Sequence, residues 1–147
     1  MKKEGTKYLL VIGGATATGK TALAIRLAQH FGTEILSADS RQFYREMSIG
    51  TAKPTPAELA QAPHHFIDSL SVTQEFSVGD FERAALDTLQ DIYRTKEVAI
   101  LVGGSGLFLQ AVCEGLDDFP EVSAEIKKKV SEAFQQNGLE WLQQEIQ

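Results

Sequence analysis

Cysteine is nearly missing from this 147-residue sequence: Cys113 stands alone, so no intramolecular disulfide can form. A single thiol inside an apolar run fits a reducing compartment, and predicts a side chain that packs rather than reacts. Also missing is any apolar run approaching the roughly 20 residues that cross a bilayer. Positive charge is scarce, with 14 Lys and Arg against 20 Asp and Glu and a net charge of −6. An isoelectric point near 5.0 excludes general affinity for nucleic acid or anionic membranes, which need a field of the opposite sign. The deficit is uneven. Residues 1–113 carry 11 basic and 12 acidic side chains, and residues 114–147 carry 3 and 8. Residues 40–53 hold Arg41, Arg45 and Lys53 against Glu46 alone, which leaves room for a local RNA site.

Repeats, low-complexity tracts and Ser/Gly linkers are absent as well. With 43% apolar and 23% charged residues, the composition is that of a globular chain, and the length suggests one domain with a substantial core. The N-terminus imitates a secretory leader in Lys2, Lys3, the run Tyr8-Leu9-Leu10-Val11-Ile12 and the small pair Ala15 and Ala17. Its apolar core is only five residues long, below the usual range of about 7–15, so no leader is expected.

Residues 8–12 form a short continuous apolar run ending at Gly13-Gly14, which reads as a buried strand. Leu23, Leu27 and Phe31 then recur at helical spacing before Gly32, a residue suited to a helix C-cap. A second strand is expected over 34–38, loop with one helical turn over 40–63, and a brief strand over 65–68. Ser77-Val78-Gly79-Asp80 has the form of a capping box, followed by a helix with Phe81, Ala85, Leu89 and Ile92 on one face. Residues 98–102 form the third strong strand, again closed by paired glycines. Helices are expected over 105–114 and 123–137, the latter stopped by Gly138, with a new start at Leu139. Apolar strands alternating with amphipathic helices indicate an α/β fold, a parallel sheet flanked by helices. In such sheets ligands bind beyond the carboxyl ends of the strands.

Gly14-Ala15-Thr16-Ala17-Thr18-Gly19-Lys20-Thr21 fits G-x-x-x-x-G-K-[ST] between a strand and a helix. The glycines let backbone N–H groups curl around an anion, and the helix N-terminus adds its dipole. Lys20 supplies a point charge, and the Thr21 hydroxyl can ligate Mg²⁺. The pattern makes this a P-loop NTPase-like sheet and calls for a phosphate or diphosphate. A phosphotransferase of this type needs a carboxylate for Mg²⁺ at a neighbouring strand end, yet residues 98–102 lead into Gly103-Gly104-Ser105 with no acid. That lowers the ATPase and GTPase readings. The carboxylate available is Asp39, which could hold metal, act as a general base, or merely cap a turn.

The ordered set of the phosphate loop, Asp39-Ser40-Arg41-Gln42, Ile49-Gly50-Thr51-Ala52-Lys53-Pro54, His64-His65-Phe66-Ile67-Asp68, Phe76-Ser77-Val78-Gly79-Asp80-Phe81 and Val102-Gly103-Gly104-Ser105-Gly106-Leu107-Phe108 resembles the N-terminal part of the tRNA dimethylallyltransferases (tRNA isopentenyltransferases). The resemblance spans about residues 8–116. It implies transfer of a dimethylallyl group from dimethylallyl diphosphate to N6 of the adenine 3′ of the anticodon. Gly14, Ala15, Thr16, Ala17, Thr18, Gly19, Lys20 and Thr21 would then hold the diphosphate of the prenyl donor, and Thr21 would help place Mg²⁺, the expected cofactor. Asp39 would be the general base. Ser40, Arg41 and Gln42 would line the flipped adenine. Ser105, where the family usually has Thr, would contact tRNA near the reaction centre, and Lys127 would meet the RNA backbone, although a triple-lysine run also suits a solvated helix face. The implied partners are dimethylallyl diphosphate and the anticodon stem-loop, in a cytoplasmic protein that is monomeric at full length. The diphosphate would be the leaving group, which explains the missing acid after the third strong strand.

Departures from the family pattern are Ala15 for Pro, Thr18 for Ser or Val, and Phe108 for Tyr. The family's chains run to roughly twice this length. Two parts are therefore expected: residues 1–116 as the P-loop core and 117–147 as the start of a truncated helical region, inactive on tRNA by itself. Two other readings remain open, a small P-loop kinase using ATP and a prenyltransferase acting on free adenine nucleotides. Adjacent His64 and His65 would point to opposite faces of a strand and so cannot share a metal. Trp141 with Leu142 is read as packing.

Overall fold

A computed structural model describes residues 5–117, 120 and 122–146; Lys2 and Lys3 of the leader-like stretch, and Gln147, lie outside them. The chain divides into two compact units, residues 1–116 and 117–147.

In the first unit, β1 (Tyr8–Gly13), α1 (Lys20–Phe31), β2 (Ile35–Ser37), α2 (Pro56–Leu59), β3 (His64–His65), α3 (Val78–Tyr93), β4 (Val98–Gly103) and α4 (Gly106–Glu114) follow one another. The strands order β1-β4-β2-β3, and every pairing is parallel. β4 sits at the centre of the registers: Gly13 lies opposite Gly103, and Ser37 opposite Val102. The loops that follow β1, β2 and β4 therefore emerge side by side. Two buried clusters hold the layers. One joins Leu36, Phe43, Phe81, Ala85, Leu89, Ile92 and Leu101; the other joins Ala24, Ile25, Ala28, Ile35, Ala62 and Ile100.

The α3 capping box forms as its sequence predicts: Asp80 N–H donates to Ser77 Oγ at 3.1 Å, and Ser77 N–H donates to Asp80 Oδ2 at 2.8 Å. Phe81 is fully buried, with Leu89 and Ile92 nearly so. The single helical turn within 40–63 is α2, capped by Thr55.

Three expectations are corrected. The buried residues of α1 are Ala24, Ile25 and Ala28, with Leu27 partly buried against their cluster, while Leu23 and Phe31 are 46% and 44% exposed. β3 ends at His65 instead of running to Asp68, because Phe66 and Asp68 take left-handed φ values of 64° and 50° that no ladder continues through. Cys113 is exposed, not packed.

In the second unit, α5 (Ala124–Glu145) starts at Ser123, whose Oγ accepts from Ile126 N–H at 3.4 Å. It is interrupted at Gly138, where φ is 74° and ψ −171°. This is the stop expected there. Among the described residues, no helix is long and apolar enough to cross a membrane.

Candidate functional site

The phosphate loop joins β1 to α1, and its shape depends on residues that tolerate positive φ: Gly14 (151°), Ala17 (64°) and Gly19 (84°). Glycine supplies this freedom at two of the three positions; at Ala17 the side chain is carried at some strain. The Ala15 carbonyl accepts from Thr18 Oγ1 at 2.8 Å and also from Lys20 Nζ. The ammonium thus lies folded against the loop it serves.

Asp39 follows β2, and the geometry around it is set by backbone. A Cβ on Gly103 would stand 2.2 Å from the Ala38 carbonyl oxygen, so only glycine fits where β4 passes the end of β2. A Cβ on Gly104 would lie 3.6 Å from the Gly14 oxygen and 3.8 Å from Asp39 Oδ2. The Gly103-Gly104 pair therefore stands between the phosphate loop and the carboxylate, where a third strand-end acid would otherwise project. Asp39 Oδ1 accepts from Arg41 N–H at 3.2 Å. The turn-capping role and a chemical role are compatible, because the first engages Oδ1 and leaves Oδ2. Ser105, at the N-cap of α4, accepts from Ser40 N–H at 3.3 Å and ties the loop after β4 to the loop after β2.

The phosphate loop and Asp39 share one cleft of about 250 Å³, whose lining does not include Ser40 or Ser105. It is lined by Thr16, Ala17, Gly19, Lys20 and Thr21 from the phosphate loop and the start of α1, by Ser37, Asp39 and Gln42 at and after β2, and by Ala52, Pro54, Glu58, His64 and Ile67. Arg41 lies on the exposed surface beside it. Lys127 belongs to the second unit, in a helix whose neighbours Lys128 and Lys129 pair with Glu132 and Glu125 at 3.8 and 2.8 Å.

Reading the sequence alone missed His64 and Glu58 as cleft residues. Glu58 N–H and Thr55 form a capping box, and hydrogen bonds from Thr55 hold the Glu58 carboxyl below its ordinary range. The Thr55-x-x-Glu58 spacing was the signal for it. His64 Nδ1 bonds the Ala62 carbonyl at 2.8 Å, which makes Nδ1 the donor. Its Nε2 is buried with no hydrogen-bond partner, the one such side-chain atom among the described residues. Burial pushes this imidazole below its ordinary value of 6.5. His65 turns away and meets Glu34 at 2.6 Å. Among the described residues, no group of three or more His, Cys, Asp and Glu side chains could hold a metal.

A parallel sheet, a phosphate loop at the end of its first strand and a carboxylate on a neighbouring strand end define a P-loop-type α/β domain. Known proteins narrow that class. The profile of a family described as IPP transferase matches residues 42–147. The tRNA dimethylallyltransferase of Christiangramia forsetii is 50% identical over 141 residues, covering 96% of this chain and 47% of that protein. The enzyme of the same name from Flavobacterium psychrophilum is 48% identical over 140 residues, covering 95% and 46%. Among solved structures, the full-length tRNA isopentenylpyrophosphate transferase of Bacillus halodurans superposes with a TM-score of 0.73 at 33% identity, covering 97% of this chain and 47% of that one. A eukaryotic dimethylallyltransferase acting on tRNA gives 0.73 at 31% identity, over 82% and 31%. The chain belongs to the IPP transferase family, and it spans about half the length of the curated relatives it matches.

Proposed function

We propose that this chain supplies the diphosphate-binding and base-bearing part of a cytoplasmic tRNA dimethylallyltransferase. The observation that supports it best is the single cleft in which the phosphate loop faces Asp39 with no acid at the end of β4. A kinase would use such an acid for its nucleotide-bound metal; a prenyl transfer has no need of one.

In this reading the diphosphate of dimethylallyl diphosphate lies in residues 14–21. The allylic C–O bond breaks, the electron pair leaves with the diphosphate, and loop N–H groups with Lys20 stabilise the charge that builds there. Lys20 exchanges the Ala15 carbonyl for a phosphate oxygen. The adenine N6 lone pair forms the new C–N bond, and Asp39 Oδ2 accepts the N6 proton, an effect worth about 10²–10⁴ in rate. Ser105 holds the Ser40 amide, so that Asp39 and Ser40 keep their place beside the base. Arg41 and Lys127 face the RNA.

The donor set suits Mg²⁺. The Thr21 hydroxyl lines the cleft beside the phosphate loop and would hold the ion, which is usually held by few protein oxygens together with phosphate and water; Asp39 stays free to act as the base. When bound it would neutralise charge on the leaving diphosphate.

Two measurements test the proposal. The chain should bind dimethylallyl diphosphate in preference to ATP; the reverse preference would establish the kinase reading. A chimera in which this chain replaces the matching part of the C. forsetii enzyme should transfer labelled dimethylallyl to tRNA. Asp39→Asn in that chimera should lower the rate about 10²–10⁴-fold, while the amide oxygen keeps the Arg41 turn. An unchanged rate would remove Asp39 as the base.

A further inference from the structure

Four polar side chains are buried among the described residues, and three of them, Ser37, Gln42 and Thr51, belong to one network. Gln42 is its centre, only 9% exposed. Its Nε2 donates to the carbonyls of Thr51 and Ala52, each at 3.1 Å, and its Oε1 accepts from Ser37 Oγ at 3.1 Å. A carboxamide has two donor hydrogens and no more. Both are therefore engaged, and a bound base would receive no N–H from this residue. The opposite amide orientation would aim Oε1 at two carbonyl oxygens, which fixes the assignment.

The segment that Gln42 grips needs holding. Ala52 sits at φ 50°, a left-handed conformation costly for a residue with a Cβ. On one side of it, Thr51 Oγ1 donates to the Met47 carbonyl at 2.9 Å. On the other, the Lys53 ammonium, with its side chain 8% exposed, bonds Asp68 at 2.6 Å and the Tyr44 carbonyl at 2.5 Å. Asp68 N–H in turn donates to the Gln42 carbonyl at 3.1 Å. Ala52 and Pro54 line the same cleft as Thr16 and Lys20.

We propose that Gln42 is a positioning residue, whose carboxamide ties the end of β2 to the Thr51 and Ala52 carbonyls and so holds residues 51–54 as the cleft wall facing the phosphate loop. Its contribution passes through that wall, not through contact with the base. The inference rests on the reading of the cleft as a dimethylallyl diphosphate site. Inorganic pyrophosphate needs the phosphate loop alone, whereas the organic group of dimethylallyl diphosphate also needs the opposite wall.

Three variants of this chain separate the roles. Gln42→Glu keeps the shape and the acceptor for Ser37 but turns oxygen toward two carbonyls. Gln42→Met fills the volume with no polar contact, and Ser37→Ala removes one bond and leaves the grip on 51–52. For the two Gln42 variants, amide exchange at Ala52 and Lys53 should rise at least about tenfold with β1 and β4 unchanged. Affinity for dimethylallyl diphosphate should fall about tenfold or more, while that for inorganic pyrophosphate stays within about twofold. Ser37→Ala should fall between these and the wild type. Unchanged exchange at 52–53 would overturn the proposal, as would equal losses for the two ligands, the mark of general destabilisation. If the wild type fails to bind dimethylallyl diphosphate, the reading of the cleft falls, while the exchange measurement still decides the role of Gln42.

Discussion

Replacing Gly103 by alanine places a methyl group where the Ala38 carbonyl already lies. The obstacle is backbone and cannot rotate aside, so the substitution should cost about 3 kcal/mol or prevent folding, read by urea denaturation. His64 offers a second test. Its folded-state value is depressed below 6.5 by burial, so the unfolded chain takes up the proton first as pH falls. The stability linked to neutral His64 is complete above about pH 6.5 and is lost as pH drops below it. Glu58 and Asp80, held below their ordinary 4.5 and 3.8 by capping hydrogen bonds, add to the loss in the same direction at lower pH. Urea midpoints at pH 7 and pH 5.5 should therefore differ more for the wild type than for His64→Gln. At this scale the chemistry was legible where it was local. The loop glycines, Lys20, Thr21 and Asp39 can be read from spacing. His64 could not, because its place in the cleft comes from burial, which no local spacing announces.

Elements were legible where capping and periodicity agreed. Ser77 and Asp80 announced α3, and Ser77→Ala should lower stability by about 1 kcal/mol in thermal or urea denaturation, leaving ligand affinity unchanged. The apolar runs before paired glycines announced β1 and β4. β3 was harder, since His64-His65-Phe66-Ile67-Asp68 has a strand-like composition. Its ladder stops because Phe66 and Asp68 turn left-handed to join the aromatic cluster and to meet Lys53. The buried face of α1 escaped a count of large apolar residues because two of its three buried residues are alanines. Small residues carry little periodic signal, although Ala24 and Ala28 are buried to 0% and 1%.

For the molecule as a whole, every residue lining the cleft lies in the first compact unit. We predict that residues 1–116 alone bind inorganic pyrophosphate as tightly as the full 147, measured by calorimetry; a loss beyond about threefold would assign part of the site to residues 117–147. The uneven charge follows nearly the same division, since most of the net acidity lies beyond residue 113 in the sequence. The spacing between the phosphate loop and the end of β2 has a further property. It is spanned by Gly14, Gly103, Gly104 and the Ala38 carbonyl, so it is a backbone dimension. A side-chain change at Ala15 leaves that spacing as it is. A change in that spacing would require the strands themselves to move.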